Sequence, residues 1–156
     1  MLVLICIVFS MTSISAQENE CPKNYISWGA SCYHFVESQN TWGAARNICK
    51  TVPGSDLAAI ETAEEQDYLV KLISDSPYLS SYHYWLGGTD IKSPGTWVWV
   101  STSQQFDYTN WAAGEPNNAN ENCAQLSIWP GHKGYPWNDS LCDISKFRAI
   151  CEINDL

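Results

Sequence analysis

The sequence predicts an α+β domain in which two helices and several short strands accompany one long loop region. Two stretches in the first half, residues 41–50 and the stretch that starts at Thr62, have the helical spacing of apolar residues. Later segments are rich in aromatic and β-branched residues, which favour strands. Residues 101–122 show little periodicity, and a loop of that length in a compact domain is usually functional or disordered.

Both predicted helices carry start and stop signals. Thr41 and Thr62 are candidate N-caps, and Glu65 completes a capping-box pattern with Thr62. Pro53-Gly54 ends the first helix and Pro77 the second. The apolar faces predicted to meet the core are Trp42, Ala45, Ile48 and Cys49 in the first helix, and Leu69, Leu72 and Ile73 in the second. A solvated face is predicted for Glu61, Glu64, Glu65 and Asp67.

The predicted strands begin with a hairpin of residues 25–28 and 31–35, with its turn near Gly29. Further strands are predicted at residues 84–86, 97–100, 123–128 and 148–153, with a loop at 130–135.

The length, the net charge and the N-terminal residues limit the classes of protein to which this chain can belong. The chain has 156 residues, which favours one domain, and a formal net charge of −9, which argues against nucleic-acid binding. Residues 1–16 have an apolar run followed by small residues, as in a secretory signal peptide. No later run reaches the roughly 20 apolar residues that span a bilayer. We therefore expect residues 17–156 to be secreted, extracellular and not inserted in a membrane.

Loss of Cys6 with the signal peptide leaves six cysteines, an even number that predicts disulfides in a secreted chain. Six cysteines allow 15 connectivities, and the residues alone do not choose among them. A zinc site is the poorer alternative, because there is no Cys-x-x-Cys and the three histidines stand alone. The six are Cys21, Cys32, Cys49, Cys123, Cys142 and Cys151.

One loop-rich stretch, residues 115–139, concentrates the oxygen ligands that Ca²⁺ prefers. Ca²⁺ takes about 6–8 hard oxygen ligands in flexible geometry. Five side chains and a backbone carbonyl approach that number and leave places open for a ligand. Any one of these residues alone is more simply a polar surface residue. The five predicted metal ligands are Glu115, Asn117, Glu121, Asn138 and Asp139.

The pattern resembles the calcium-dependent carbohydrate-recognition domain of C-type lectins. Glu115-Pro116-Asn117 is similar to the family's specificity tripeptide, and Trp137-Asn138-Asp139 to its second ligand motif. Trp85-Leu86-Gly87-Gly88 is similar to its hydrophobic Trp-Ile-Gly-Leu signature and departs from it at the last position. The resemblance covers residues 21–151 and implies one long-form domain. With the predicted signal peptide at 1–16 removed, that domain spans residues 17–156 with its core at 21–152.

The resemblance implies a fold of two helices flanking small antiparallel sheets, with three disulfides: Cys21–Cys32, Cys49–Cys151 and Cys123–Cys142. It also implies that the five ligand residues bind Ca²⁺ and the sugar together. The acid-first order of Glu115 and Asn117 goes with equatorial 3- and 4-hydroxyls, as in mannose, N-acetylglucosamine and glucose, and fucose can satisfy the same geometry. A cis Glu115–Pro116 bond is a further implication.

An auxiliary calcium site is common in the family, but this sequence departs from the ligand pattern of that site. Asp90 and Glu121 match two of its ligands, whereas Pro94, Asn118 and Asn122 stand where acids are usual. The prediction is a weak or absent auxiliary site.

Three functions compete at this point. The first is a secreted mannose-type lectin for glycan or microbial-surface recognition in innate immunity. The second is a matrix or biomineral-associated structural protein, although the chain lacks low-complexity acidic runs. The third is a glycosidase using Glu115 and Glu121, but metal coordination would keep both ionised, whereas one must be protonated; no enzyme is predicted. Avidity would require a homo-oligomer, and no motif predicts one.

Overall fold

The computed structural model describes residues 20–128 and 134–154. Within them lie strands β1 (Ile26–Trp28), β2 (Ser31–Asn40), β3 (Ser55–Leu57), β4 (Tyr84–Thr89), β5 (Val98–Trp99), β6 (Cys123–Leu126), β7 (Trp137–Ser140) and β8 (Phe147–Ile153), and helices α1 (Trp42–Cys49) and α2 (Ala63–Asp75). The predicted signal peptide and most of the predicted loop at 130–135 lie outside the described residues. No helix among the described residues has the length and apolar character needed to cross a bilayer.

The strands form one connected sheet in the order β1-β2-β8-β4-β6-β7, with β3 also paired to β8 and β5 to β4. All pairs are antiparallel except β4 with β8, which is parallel. Pairing of β2 with β8 brings the two ends of the domain together. The predicted α+β class and its two helices are confirmed.

The three disulfides pair as the resemblance implies. Cys21–Cys32 closes the N-terminal hairpin, Cys49–Cys151 ties α1 to β8, and Cys123–Cys142 ties β6 to the turn after β7. The longest closure spans 102 residues. Because loop-closure entropy grows with loop length, this bridge restricts the unfolded chain most.

The helix predictions hold with two exceptions, the side-chain cap predicted for α1 and the solvent exposure predicted for Glu65. Thr41 precedes α1 but its side chain makes no capping bond, whereas the Thr62 hydroxyl accepts from the Glu65 amide at 3.1 Å. The solvated face predicted around Glu65 is wrong at that residue, which is only 6% exposed. Its carboxylate instead accepts from the Tyr33 hydroxyl at 2.7 Å and from the Glu61 amide at 2.9 Å.

Two strands were not predicted, and both depend on pairing with distant segments. β3 is only three residues long and pairs with β8. β7 has the sequence Trp-Asn-Asp-Ser, which has little intrinsic β-propensity, and pairs with β6 along its whole length. β5 is shorter than the strand predicted at 97–100, and β4 is longer than that predicted at 84–86.

An aromatic cluster packs the long loop, residues 101–122, against the sheet. The Trp137 ring is fully buried and meets those of Trp99, Phe106 and Trp111 edge-on, with ring centroids 5.6–5.8 Å apart. Edge-to-face pairs at this distance are favourable beyond their buried area. These contacts hold the start of β7 against the long loop.

Candidate functional site

Strand β7 positions two of the five predicted site residues. Asp139 lies opposite Ala124 of β6, and Asn138 lies opposite Gln125. Asp139 is 1% exposed, so its carboxylate is held inside the protein. A buried carboxylate needs compensating donors or cations.

Backbone hydrogen bonds bring the long loop onto β7. The Trp137 amide donates to the Asn110 carbonyl at 2.7 Å, and the Ala112 amide donates to the Trp137 carbonyl at 2.8 Å. The Glu115 amide then donates to the Ala112 carbonyl at 3.0 Å, which forms a turn before the tripeptide. The Glu115–Pro116 bond is cis. These bonds bring Glu115 to the same side as Asp139.

The Asp139 carboxylate is partly satisfied by the loop. Its Oδ2 accepts from the backbone amides of Asn117 and Asn118, each at 3.1 Å. Its Oδ1 is buried and has no hydrogen-bond partner, and the same is true of Glu115 Oε2. Two buried acceptor oxygens in one site therefore lack a donor.

The acids of the site repel one another. Burial, a close approach to the Asp139 carboxylate and the negative charges of Asp139 and Glu121 raise the pKa of Glu115. Burial and the charge of Asp139 raise the pKa of Glu121, while a hydrogen bond with the Asn118 side chain opposes that rise. A cation among the three would reverse this repulsion.

The two amide residues of the predicted set differ from Asp139 in their surroundings. The Asn138 Nδ2 donates to the Asp139 carbonyl at 2.6 Å, and Asn117 is exposed. In residues 20–128 and 134–154, no three His, Cys, Asp or Glu side chains stand close enough to hold a metal ion by themselves.

The donor set nevertheless fits Ca²⁺. It offers carboxylate and amide oxygens, which are hard ligands, and it includes no thiolate or imidazole. The two unpartnered oxygens of Glu115 and Asp139 are the acceptors that a hard cation would satisfy. Glu115, Glu121 and Asp139 would supply the charge, with Asn117 and Asn138 as neutral ligands.

Asp90, which matches a ligand of the family's auxiliary calcium site, has both oxygens engaged within the protein. Its Oδ1 accepts from the Asn122 side-chain amide at 2.8 Å, and its Oδ2 accepts from the Gly95 backbone amide at 2.7 Å. The Asp90 carboxylate is thus satisfied by neutral donors on both of its oxygens. The weak or absent auxiliary site stays a prediction, and this arrangement supports it.

One residue that positions the site was missed by sequence reasoning. Gln66 in α2 accepts from the Trp137 indole at 2.8 Å and donates to the carbonyls of Gly134 and Tyr135 at 3.0 and 3.1 Å. It thereby connects α2 both to the first residue of β7 and to the backbone just before that strand. A glutamine within a helix carries no sequence signal for such a role.

Comparison with known proteins agrees with this architecture. The model of the lectin C-type domain family matches residues 38–153. A perlucin-like protein of Mytilus galloprovincialis is 36% identical over 132 residues, which are 84% of this chain and 81% of that protein. Human C-type lectin domain family 6 member A is 30% identical over 137 residues, 87% of this chain but only 62% of the relative.

Among solved structures, the cow C-type carbohydrate-recognition domain of CD23, determined in the presence of a GlcNAc2Man3 oligosaccharide, superposes with a TM-score of 0.73. It is 30% identical, and the match covers 88% of this chain and 98% of that one. The family match, the identities and the shared fold lead to one conclusion: this chain belongs to the C-type lectin domain family.

Proposed function

We propose that this protein binds sugars in a calcium-dependent manner through Glu115, Asn117, Glu121, Asn138 and Asp139. The observation that carries the proposal is the pair of buried carboxylate oxygens, Glu115 Oε2 and Asp139 Oδ1, that lack a hydrogen-bond partner. Leaving buried acceptors unsatisfied costs about 1–3 kcal/mol each, and more when they are charged. A divalent cation removes that cost and the repulsion between the acids.

Calcium held by these five residues would act as a Lewis acid toward neighbouring hydroxyls of a sugar. The residues of the chain supply the rest of the recognition. A carboxylate such as Glu115 accepts a hydrogen bond from a hydroxyl, and the amide NH₂ of Asn117 or Asn138 donates one to it. Bonds to the ionised groups are the stronger ones. Binding without chemical change of the sugar is the proposed activity.

The proposed sugars are those with equatorial 3- and 4-hydroxyls, namely mannose, N-acetylglucosamine, glucose and fucose in an equivalent geometry. The support is the acid-first order of Glu115 and Asn117. The proposed setting is extracellular, with residues 17–156 secreted after removal of residues 1–16. Glycan or microbial-surface recognition in innate immunity is the role proposed for such a protein.

The experiment is retention on mannose-agarose with calcium present and after chelation. We expect retention only with calcium, and elution by free mannose. Glu121→Gln should weaken retention because it removes a charged ligand, whereas Glu64→Gln, the same change on the exposed face of α2, should not. Retention that persists in excess chelator would contradict the proposal. Calcium binding without retention on any sugar would favour the matrix-protein alternative.

A further inference from the structure

One pocket lies beside the point where β4 and β8 begin side by side. Tyr84 at the start of β4 lies opposite Arg148 at the start of β8. The pocket has a volume of about 220 Å³ and shares no lining residue with the proposed calcium site. That volume far exceeds the roughly 10–15 Å³ of accessible space that holds one water molecule.

Arg148 is the unusual residue of this pocket. It is only 5% exposed, and within the described residues it makes no ion pair with a carboxylate. Its Nε is buried without a hydrogen-bond partner, and its Nη1 donates to the Tyr78 carbonyl at a long 3.5 Å. Buried guanidinium groups are normally paired with an anion, because burial of a lone charge is costly.

Aromatic contacts compensate only part of this charge. The guanidinium carbon lies 3.4 Å from the ring centroid of Tyr82 and 4.4 Å from that of Tyr78. Such cation–π contacts act on the faces of the guanidinium plane. The hydrogen-bond donors lie in that plane, at its edge. The Tyr84 hydroxyl lies within hydrogen-bonding reach of the guanidinium, but Nε is buried without a partner.

The other polar residues of the pocket can act as donors as well. Lys146 is exposed at its mouth, and Gln39 and Ser81 contribute an amide and a hydroxyl. His83 accepts from the Ile128 amide through Nδ1 at 3.2 Å, so the neutral ring carries its proton on Nε2 and can donate from there. None of the described lining residues is a carboxylate. The pocket thus combines two cations with neutral donors in a chain of net charge −9.

We propose that this pocket binds a small oxyanion, in the form of a sulfate, phosphate or carboxylate group, with Arg148 and Lys146 as its charged ligands. An oxyanion presents the planar or tetrahedral acceptor oxygens that an arginine fork recognises. Free inorganic anions and acidic groups carried on a sugar share this chemistry. The site is independent of calcium, because its ligands belong to β8, the turn before it and the segment before β4.

The test is a titration followed by NMR of the arginine side chains. The chain has only two arginines, and Arg46 is already held by Asp56 in a two-pronged ion pair, with Nε and Nη2 each 2.9 Å from a carboxylate oxygen. The Arg46 Nε–H signal is therefore an internal control. Sodium sulfate is added at constant ionic strength, against chloride, in calcium-free buffer. We expect a saturable shift of the Arg148 Nε–H signal and none of the Arg46 signal.

Variants separate a built site from a general salt effect. Lys146→Ala should weaken sulfate binding by about two- to fivefold, the size expected of an exposed charge, whereas Lys23→Ala, the same change at another exposed lysine, should leave it unchanged. Arg148→Gln should weaken it by at least about tenfold, and Lys146→Ala keeps the test valid if Arg148→Gln does not fold. Parallel titrations with phosphate, glucuronate and neutral glucose separate a free anion from an acidic sugar as the source.

Two results would overturn the proposal. A shift that grows linearly with sulfate and is equal in the wild type, Lys146→Ala and Lys23→Ala would show only the general stabilising effect of that salt. Equal shifts of the Arg46 and Arg148 signals would have the same meaning. Neither result bears on retention on mannose-agarose, so the two proposals fail separately.

Discussion

Glu152→Gln is expected to make the protein more stable at neutral and mildly alkaline pH. Glu152 lies on β8, is 7% exposed and accepts from the Ala59 amide at 2.9 Å. Burial, and then the charge of Glu65, raise the pKa of Glu152 from 4.5 to about 7. The pKa of Glu65 is itself raised, again chiefly by burial.

The direction in which stability changes with pH follows from the raised pKa of Glu152 in the folded state. Below pH 4.5 the carboxyl is protonated in both states and costs no stability. Between pH 4.5 and about 7 the unfolded chain loses its proton while the folded protein retains it, so stability falls as pH rises. At about 1.4 kcal/mol per pH unit, the loss approaches about 3 kcal/mol. Glutamine carries no charge and can still accept from the Ala59 amide, so it should escape this loss.

The assay is urea unfolding of the wild type and Glu152→Gln at pH 5, 6, 7 and 8 in calcium-free buffer with the disulfides intact. The quantity to plot is the difference in unfolding free energy, because contributions from distant carboxylates cancel in it. The variant's advantage should grow with pH toward about 3 kcal/mol, or roughly 6–12 °C in Tm for a domain of this size. Glu64→Gln on the exposed face of α2 is the control. A difference that does not change with pH, or a variant less stable at pH 8, would refute the reasoning.

Three further predictions concern acid, packing and the loop. Bound sugar should be released as pH falls into the carboxylate range, since protons compete with calcium, and added calcium should shift the release to lower pH; a release profile indifferent to calcium would contradict this. Gly88→Ala should lower the unfolding free energy by about 1–3 kcal/mol, because its Cβ would meet the Phe106 ring, whereas Gly43→Ala, with nothing within 4 Å, should not be destabilising. Asn122→Ala should cost about 1–2 kcal/mol by removing a donor from the Asp90 carboxylate, and unchanged urea midpoints would argue against that bond.

Local signals in the sequence predicted the elements that depend on local physics. The Thr62 cap and the apolar stripe through Leu69 and Ile73 specify α2 without help from distant residues. β7 could not be found in this way, because its Asn and Asp are poor strand formers and only pairing with β6 makes them a strand. The disulfide pairing likewise needed the family resemblance, since spacing leaves 15 connectivities.

The burial of charged side chains was the main structural feature that the sequence did not predict. Glu65 has the sequence context of an exposed helical acid, and Arg148 that of an ordinary strand residue, yet both are buried. Their burial depends on Tyr33 for one and on Tyr78 and Tyr82 for the other, contacts between segments far apart in the chain. In the candidate site, calcium chemistry suggested the types of ligand to look for, and that ligand set stays a prediction. The backbone amides that fix Asp139 were not predictable, because any residue supplies them.

The last prediction asks whether the order of acid and amide at Glu115 and Asn117 sets the choice of sugar. The backbone amide of Asn117 donates to Asp139, and this bond does not depend on the Asn117 side chain. Exchanging the two functions by Glu115→Gln together with Asn117→Asp keeps the total charge and this backbone bond while reversing acceptor and donor around the sugar hydroxyls. We expect the double variant to fold, to retain calcium binding and to shift its preference from mannose toward galactose by about tenfold or more, since hydrogen bonds to charged groups contribute about 1.5–3 kcal/mol. Competitive elution of both proteins by mannose and by galactose measures the shift, and near-ultraviolet circular dichroism checks the fold. If both proteins rank the two sugars alike, the tripeptide does not select the sugar, and selectivity must come from other residues around the site.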